Sequence, residues 1–272
     1  MSKRQPANDQ RASDRLRPLI VRRRDRALEQ AIANDRIAIL FQPQIAPKTG
    51  RIIAVEALAR WGQQDSAAGL FERAALAGLS ERLSRFAQRK ALRVAGGWGP
   101  PLSNLKLSIN VLAEDLAREG YDAWLLSEIA VVGLTPDRVT VEITENSLVA
   151  DLPLAATRLG RLRDAGVRVA VDDFGTGFAS LAYLTSLPLD ALKIDRGLVA
   201  HLVAGKRDRI VVQATIGLAR ELGLKVVVEG VETAGQLALL AEWGCDLYQG
   251  FLGAAALDEG ELARFIGASQ AA

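Results

Sequence analysis

The stretch VDDFGTGFASL, residues 171–181, sets two aspartates side by side at the end of an apolar run, with a glycine-rich turn immediately after. Adjacent residues of a strand point to opposite faces, so one of the two carboxylates should meet a hydrophobic layer. Either the strand stops at Asp172 and both carboxylates converge on something positive, or the segment opens a polar loop. The neighbouring sequence favours convergence.

Short β-branched runs alternate along the chain with longer helix-like ones. Strands are predicted at 36–43 (RIAILFQP), 52–58 (IIAVEAL), 105–111 (LKLSINV), 139–144 (VTVEIT), 167–173 (VRVAVDD), 191–195 (ALKID), 225–231 (KVVVEGV) and 246–251 (DLYQGF). Helices are predicted at 80–98, 155–166, 208–223 and 233–244, among others. The last begins Thr233-x-x-Gln236, a capping box, and closes on Gly244. Eight strands interleaved with helices and no linker point to an α/β fold, a single (β/α)8 TIM-type barrel. Only IAPKTGR joins the first two strands, too short for a helical crossover, so the barrel should have an antiparallel first strand. A doubly wound open sheet is the architectural alternative.

The 272 residues are 49% apolar and 24% charged, ordinary for a soluble globular protein. No apolar run approaches the roughly eighteen residues of a membrane helix, so no transmembrane segment is expected, and the N-terminus lacks a signal-peptide core. A lone Cys245 excludes an internal disulfide and fits a reducing cytoplasm, the expected location; it reads as a small buried apolar residue. Residues 1–26 hold nine Lys/Arg against three Asp, which suggests a disordered basic arm able to touch an acidic partner; the barrel is expected over 27–272. The single histidine, His201, lies in the helix-like stretch GLVAHLVAG and reads as structural. A histidine-rich zinc site or a Ser-His-Asp triad is therefore hard to build. Chemistry in this chain must run on carboxylates, amides and amines.

Strand alternation shows where. Val139, Val141 and Ile143 share one face while Thr140, Glu142 and Thr144 share the other; Leu107, Ile109 and Val111 likewise oppose Lys106, Ser108 and Asn110. Arg168, Ala170 and Asp172 oppose three valines, Lys193 opposes Leu192 and Ile194, and Glu56 aligns with Leu58 and Arg60. In a barrel the apolar face meets the helices and the other lines the interior, so the acids gather at the C-terminal mouth, where barrel enzymes work. Asp172 is the last inward residue of its strand, and a turn over Phe174–Gly177 would let Asp173 join it. Glu56, Glu142, Asp172, Asp173 and Glu229 then place five negative charges at one mouth, offset by Lys193. Two such charges at about 4 Å repel by about 4 kcal/mol even at an effective dielectric near 20. Two divalent cations would balance the set, and all-oxygen ligands including the Asn110 amide suit Mg²⁺ or Mn²⁺. Paired metals of this kind serve phosphoester hydrolysis. The competing view, surface salt bridges and helix caps, does not account for five acids in register. DFG at 173–175 and GTGFAS at 175–180 echo kinase and dinucleotide motifs without the partners those need.

The motifs as a set resemble the EAL family of bacterial cyclic di-GMP phosphodiesterases over about residues 27–257. They are FQPQ at 41–44, EALARW at 56–61, SIN at 108–110, EITE at 142–145, DDFGTGFASLAYL at 172–184, LPLDALKID at 187–195, VEGVET at 228–233 and QGF at 249–251. The resemblance implies hydrolysis of cyclic di-GMP to linear pGpG by a two-metal mechanism, lowering a second messenger in bacterial signalling. It implies that Glu56, Asn110, Glu142 and Asp172 hold a first Mg²⁺ or Mn²⁺, and that Asp172 bridges to a second, held also by Asp173 and assisted by Glu229. Lys193 is implied to contact the nucleophilic water and Glu229 to be the candidate base, with Gln42, Leu58, Arg60 and Gln249 binding substrate. Glu145 is implied to steady the loop after Asp173, through which a homodimer would form. Ala75, Phe178, Ala179, Gly253 and Ala256 depart from the family pattern, none at a metal position. A catalytically silent cyclic di-GMP receptor of the same fold is the alternative; such relatives typically lose metal ligands, and here all are present. A barrel lyase or isomerase with one metal is a more distant rival.

Overall fold

The computed structural model describes residues 24–62, 66–144, 151–175 and 181–271; Glu145 and most of the basic arm lie outside them. Helix α1 (Arg26–Ala33), capped by the Asp25 carboxylate, leads into the hairpin of β1 (Ala38–Ile45) and β2 (Ile52–Arg60). Then follow α2 (Ala67–Ala77), α3 (Ser80–Gly96), β3 (Lys106–Val111), α4 (Ala113–Ala117), α5 (Tyr121–Val131) and β4 (Val139–Thr144). The second half runs α6 (Leu152–Asp164), β5 (Arg168–Phe174), α7 (Leu181–Ser186), β6 (Ala191–Ile194), α8 (Arg196–Val199) and α9 (Lys206–Glu221). It ends with β7 (Lys225–Val228), α10 (Ala234–Trp243), β8 (Leu247–Tyr248) and α11 (Glu259–Ala271). The strands close in chain order into one barrel in which β1 alone runs antiparallel to both neighbours, β2 and β8. This is the (β/α)8 barrel with reversed first strand that the short IAPKTGR connection demands.

The core sits between strands and helices. Val139, Val141 and Ile143 on β4, and Leu192 and Ile194 on β6, have no solvent exposure, which is why their runs are β-branched and apolar. Helix α10 starts as read: Thr233 Oγ1 accepts from Gln236 N–H, the Gln236 side chain accepts from Thr233 N–H, and Gly244 ends the helix in the left-handed region at φ 84°. Cys245 is buried as expected.

Two expectations are corrected. His201 is not in a helix: α8 ends at Val199, and His201 is exposed in the turn before α9, contributing its backbone carbonyl to Gly205 N–H at 2.7 Å. Nor does β5 stop at Asp172. It continues to Phe174 through a bulge, since Val171 pairs with Leu192 and Phe174 with Ile194, leaving Asp172 and Asp173 together opposite Lys193. Two residues facing one is what a bulge does to a strand. Asp173 takes φ 56°, left-handed for a side chain that tolerates it.

Candidate active site

Register makes the polar positions neighbours across adjacent strands. Gln42 on β1 pairs with Glu56 on β2, Asn110 on β3 with Glu142 on β4, and Thr144 with Asp172 on β5. Lys193 enters from β6, and Glu229 follows the last residue of β7, its N–H on the Ile194 carbonyl at 3.0 Å. The centre is Lys193, fully buried, with Nζ 2.7 Å from Glu229 Oε1, 2.8 Å from Glu142 Oε2, 3.0 Å from Asp172 Oδ2 and 3.3 Å from Glu56 Oε2. One ammonium with three donors serves four carboxylates.

The electrostatics follow. Burial pushes Glu142 and Glu229 up to about 8, Lys193 only partly offsetting it, with Asp172 and Glu56 adding repulsion. Asp172 is raised by burial and by Glu56, while Asp173 reaches about 6 through burial and the charges of Asp172 and Asp195. Burial also acts on Glu56, but Lys193 and the amides of Asn110 and Gln249 bring it below its ordinary value. Lys193 stays charged: its desolvation is outweighed by Asp172, Glu142, Glu229 and Glu56, which raise it well above a free lysine. The cluster thus carries more negative charge than the protein neutralises.

Two carboxylate triads are compact enough to hold a metal ion. Ligand atoms of Glu56, Glu142 and Asp172 lie within 4.8 Å of one another, and so do those of Asp172, Asp173 and Glu229. Asp172 belongs to both. Asn110 Nδ2 donates to Glu56 Oε1 at 2.9 Å, which leaves the amide oxygen as a further hard ligand.

Gln249 Nε2 donates to Glu56 Oε2 at 2.7 Å and to Gln42 Oε1 at 3.0 Å. Two grooves flank the acids. One, of about 220 Å³, is lined by Gln42, Arg60, Arg196, Glu229, Gln249 and Phe251; the other, of about 250 Å³, by Leu58, Phe71, Asn110, Asp172 and Asp173. Of the residues picked from sequence, Glu56, Asn110, Glu142, Asp172, Asp173, Lys193, Glu229, Gln42, Leu58, Arg60 and Gln249 all come to this mouth, while Glu145 lies outside the described residues.

Sequence reasoning missed several supporting residues. Gln44 Nε2 donates to Gln249 Oε1 at 3.2 Å and approaches Glu142 Oε1 at 3.5 Å, locking the interior from below. It stands in the second Gln of FQPQ, and its period-2 phase with Gln42 was the available signal. Gln88 on α3 donates to the Asn110 carbonyl at 2.9 Å and accepts from Tyr121 Oη at 3.2 Å; nothing in its helical context distinguishes it. Gly250 lies so close to the Val231 backbone, with φ 155°, that a Cβ would collide there. That requirement explains the glycine of QGF.

The fold and site define a barrel protein whose C-terminal mouth is built from carboxylates able to hold divalent cations. The family model described as EAL domain matches residues 25–256. The chain belongs to the EAL domain family. It is 37% identical over 238 residues to the cyclic di-GMP phosphodiesterase NbdA of Pseudomonas aeruginosa, covering 83% of this chain and 29% of that protein. The solved PaMucR phosphodiesterase in complex with c-di-GMP is similar at 31% identity and TM-score 0.78, over 86% of this chain and 97% of that one. An EAL domain protein from Listeria monocytogenes EGD-e matches at 30% identity and TM-score 0.78, over 88% and 96%. The chain spans well under half the length of the curated relatives it matches, 29% of NbdA and 39% of the P. aeruginosa phosphodiesterase PA2567.

Proposed function

We propose that the protein hydrolyses cyclic di-GMP to linear pGpG with two Mg²⁺ or Mn²⁺ ions. The observation that carries the proposal is the pair of carboxylate triads sharing Asp172 at the barrel mouth. Glu56, Asn110, Glu142 and Asp172 would hold one ion, and Asp172, Asp173 and Glu229 the other. Such ions supply Lewis-acid activation of water and neutralise phosphate charge. The chain's own groups do the rest. Glu229, held by Lys193 Nζ at 2.7 Å beside the second triad, is the candidate base. Lys193 holds four acids in one place and keeps a positive charge beneath the reacting phosphate. Arg60 presents a guanidinium suited to a phosphate, and the grooves on either side of the acids suit the two bases of a cyclic dinucleotide. The names of NbdA and of the PaMucR complex support the substrate. Pairing of two copies through the segment after Asp173 belongs to the same proposal and is tested by sedimentation.

The test is chromatography of cyclic di-GMP incubated with the protein. Linear pGpG should appear with Mg²⁺ or Mn²⁺ and not with a chelator, and Glu56→Ala or Glu229→Ala should abolish it. Full turnover in either variant would refute the assignment of roles, and tight binding without product under any divalent ion would establish the receptor instead.

A further inference from the structure

At the end of the barrel opposite the acidic mouth lies a further, partly open cavity of about 460 Å³, inside the range of roughly 300–1,000 Å³ typical of small-molecule sites. Barrel interiors of this type are ordinarily filled by layers of bulky branched side chains drawn from alternate strands. Here the lowest layer departs from that rule. The even strands β2, β4 and β6 contribute Ala54, Thr140 and Ala191, while the odd strands β3, β5 and β7 contribute Lys106, Arg168 and Lys225. The small side chains stop short of the axis and the long ones are exposed at the rim, so a depression opens there, closed at its inner end by the buried Ser108, Glu142 and Lys193.

The three rim cations are not equivalent. Asp190, immediately before β6, accepts from Arg168 Nη1 at 3.2 Å and from Val169 N–H at 3.0 Å. Asp246, immediately before β8, does the same for Lys225 Nζ at 2.7 Å and Val226 N–H at 2.9 Å. The residue immediately before β4 is Arg138, which donates to the Leu105 carbonyl at 2.9 and 3.1 Å. The residue immediately before β4 is thus not a carboxylate; Asp137, one position earlier, feels the charges of Lys106 and Arg168 but forms no ion pair with either, and Lys106 has no ion-pair partner among the described residues.

We propose that this floor cavity binds a small aliphatic monocarboxylate, its head on Lys106 and its hydrocarbon body against Ala54, Ala191, Val227 and Leu247. Asp190 is shared by Arg163 and Arg168 and Asp246 is taken by Lys225, which leaves Lys106 as the rim cation outside any ion pair among the described residues, free to match a single negative charge. Glu142 at the inner end repels an anion that enters deeper, so the carboxylate stays at the rim and the apolar part points inward. The site lies away from the mouth and does not depend on the proposed phosphodiesterase activity.

Calorimetric titration of the full chain with hexanoate, in chelator, tests it, with hexanamide as the uncharged control. Saturable binding of hexanoate alone is expected. Lys106→Gln, an exposed change, should weaken it about tenfold or more, as loss of a charged hydrogen bond does. Ala191→Leu, checked for cooperative unfolding, should remove binding by filling the space. Absence of saturable hexanoate binding to the unaltered chain, or unchanged affinity in Lys106→Gln, overturns the proposal; if Ala191→Leu does not fold, Lys106→Gln decides.

Discussion

Lys193 reaches four carboxylates with three N–H donors, and its removal exposes what the cluster costs. Stripping one partner from a buried ionic set destabilises by about 3–5 kcal/mol because the remaining charge is left uncompensated. Lys193→Met should show a loss of this size in urea unfolding of the metal-free protein. Asp173 supplies a second test at this scale. Its φ of 56° suits Asp or Asn but not a β-branched residue. Asp173→Asn should keep stability while weakening divalent binding; Asp173→Val should also lose about 1–2 kcal/mol in the same assay. Equal stability of the two variants would remove the strain argument. The residue types of the mouth were legible in sequence because alternation sorts inward from outward side chains. That Asp173 joins Asp172 was expected from the sequence, but the bulge that achieves it arises from pairing with β6, not from local preference.

Helix α10 shows how elements hold the site. Its capping box fixes the segment that follows Glu229: Gln236 Oε1 accepts from Glu232 N–H at 2.8 Å, and Gln236 Nε2 donates to the Val199 carbonyl at 3.0 Å. Thr233→Ala should cost about 1 kcal/mol, the ordinary worth of such a cap. Thermal unfolding measures it, and an unchanged midpoint would show the cap redundant. This start was readable because capping is local chemistry. The placement of His201 was not: an apolar run resembles a helix whether or not its backbone continues, and here α8 ends at Val199 and the chain turns through His201, whose carbonyl accepts from Gly205 N–H.

For the molecule as a whole, the proposed metal binding would couple protons to stability at the mouth. Glu142 and Glu229, with folded values of about 8 against an ordinary 4.5, hold protons more tightly in the folded chain. Their contribution to metal-free stability is full below about pH 4.5 and fades as pH rises through about 8. Divalent ions compete with those protons, so their affinity should grow between about pH 6.5 and 8.5, with proton release. At a hundred times the dissociation constant, Mn²⁺ should add about 2.7 kcal/mol of stability. Titration calorimetry in buffers of different ionisation enthalpy, paired with thermal unfolding, measures both; pH-independent affinity would contradict the raised carboxyls.

The sequence by itself determined the barrel, its reversed first strand, the split between helix-facing and interior side chains, and the chemical character of the mouth. Each of these rests on local pattern: period-2 alternation, β-branched runs, loop length and caps. Tertiary structure alone decided which acids come within reach of one another, how Asp172 and Asp173 both face Lys193, that Gln44 and Gln88 support the site, and that the barrel floor is partly open. Those outcomes depend on register and closure between residues as distant as Glu56 and Lys193, 137 positions apart. Inter-strand pairing and packing set such distances, and no local preference encodes them.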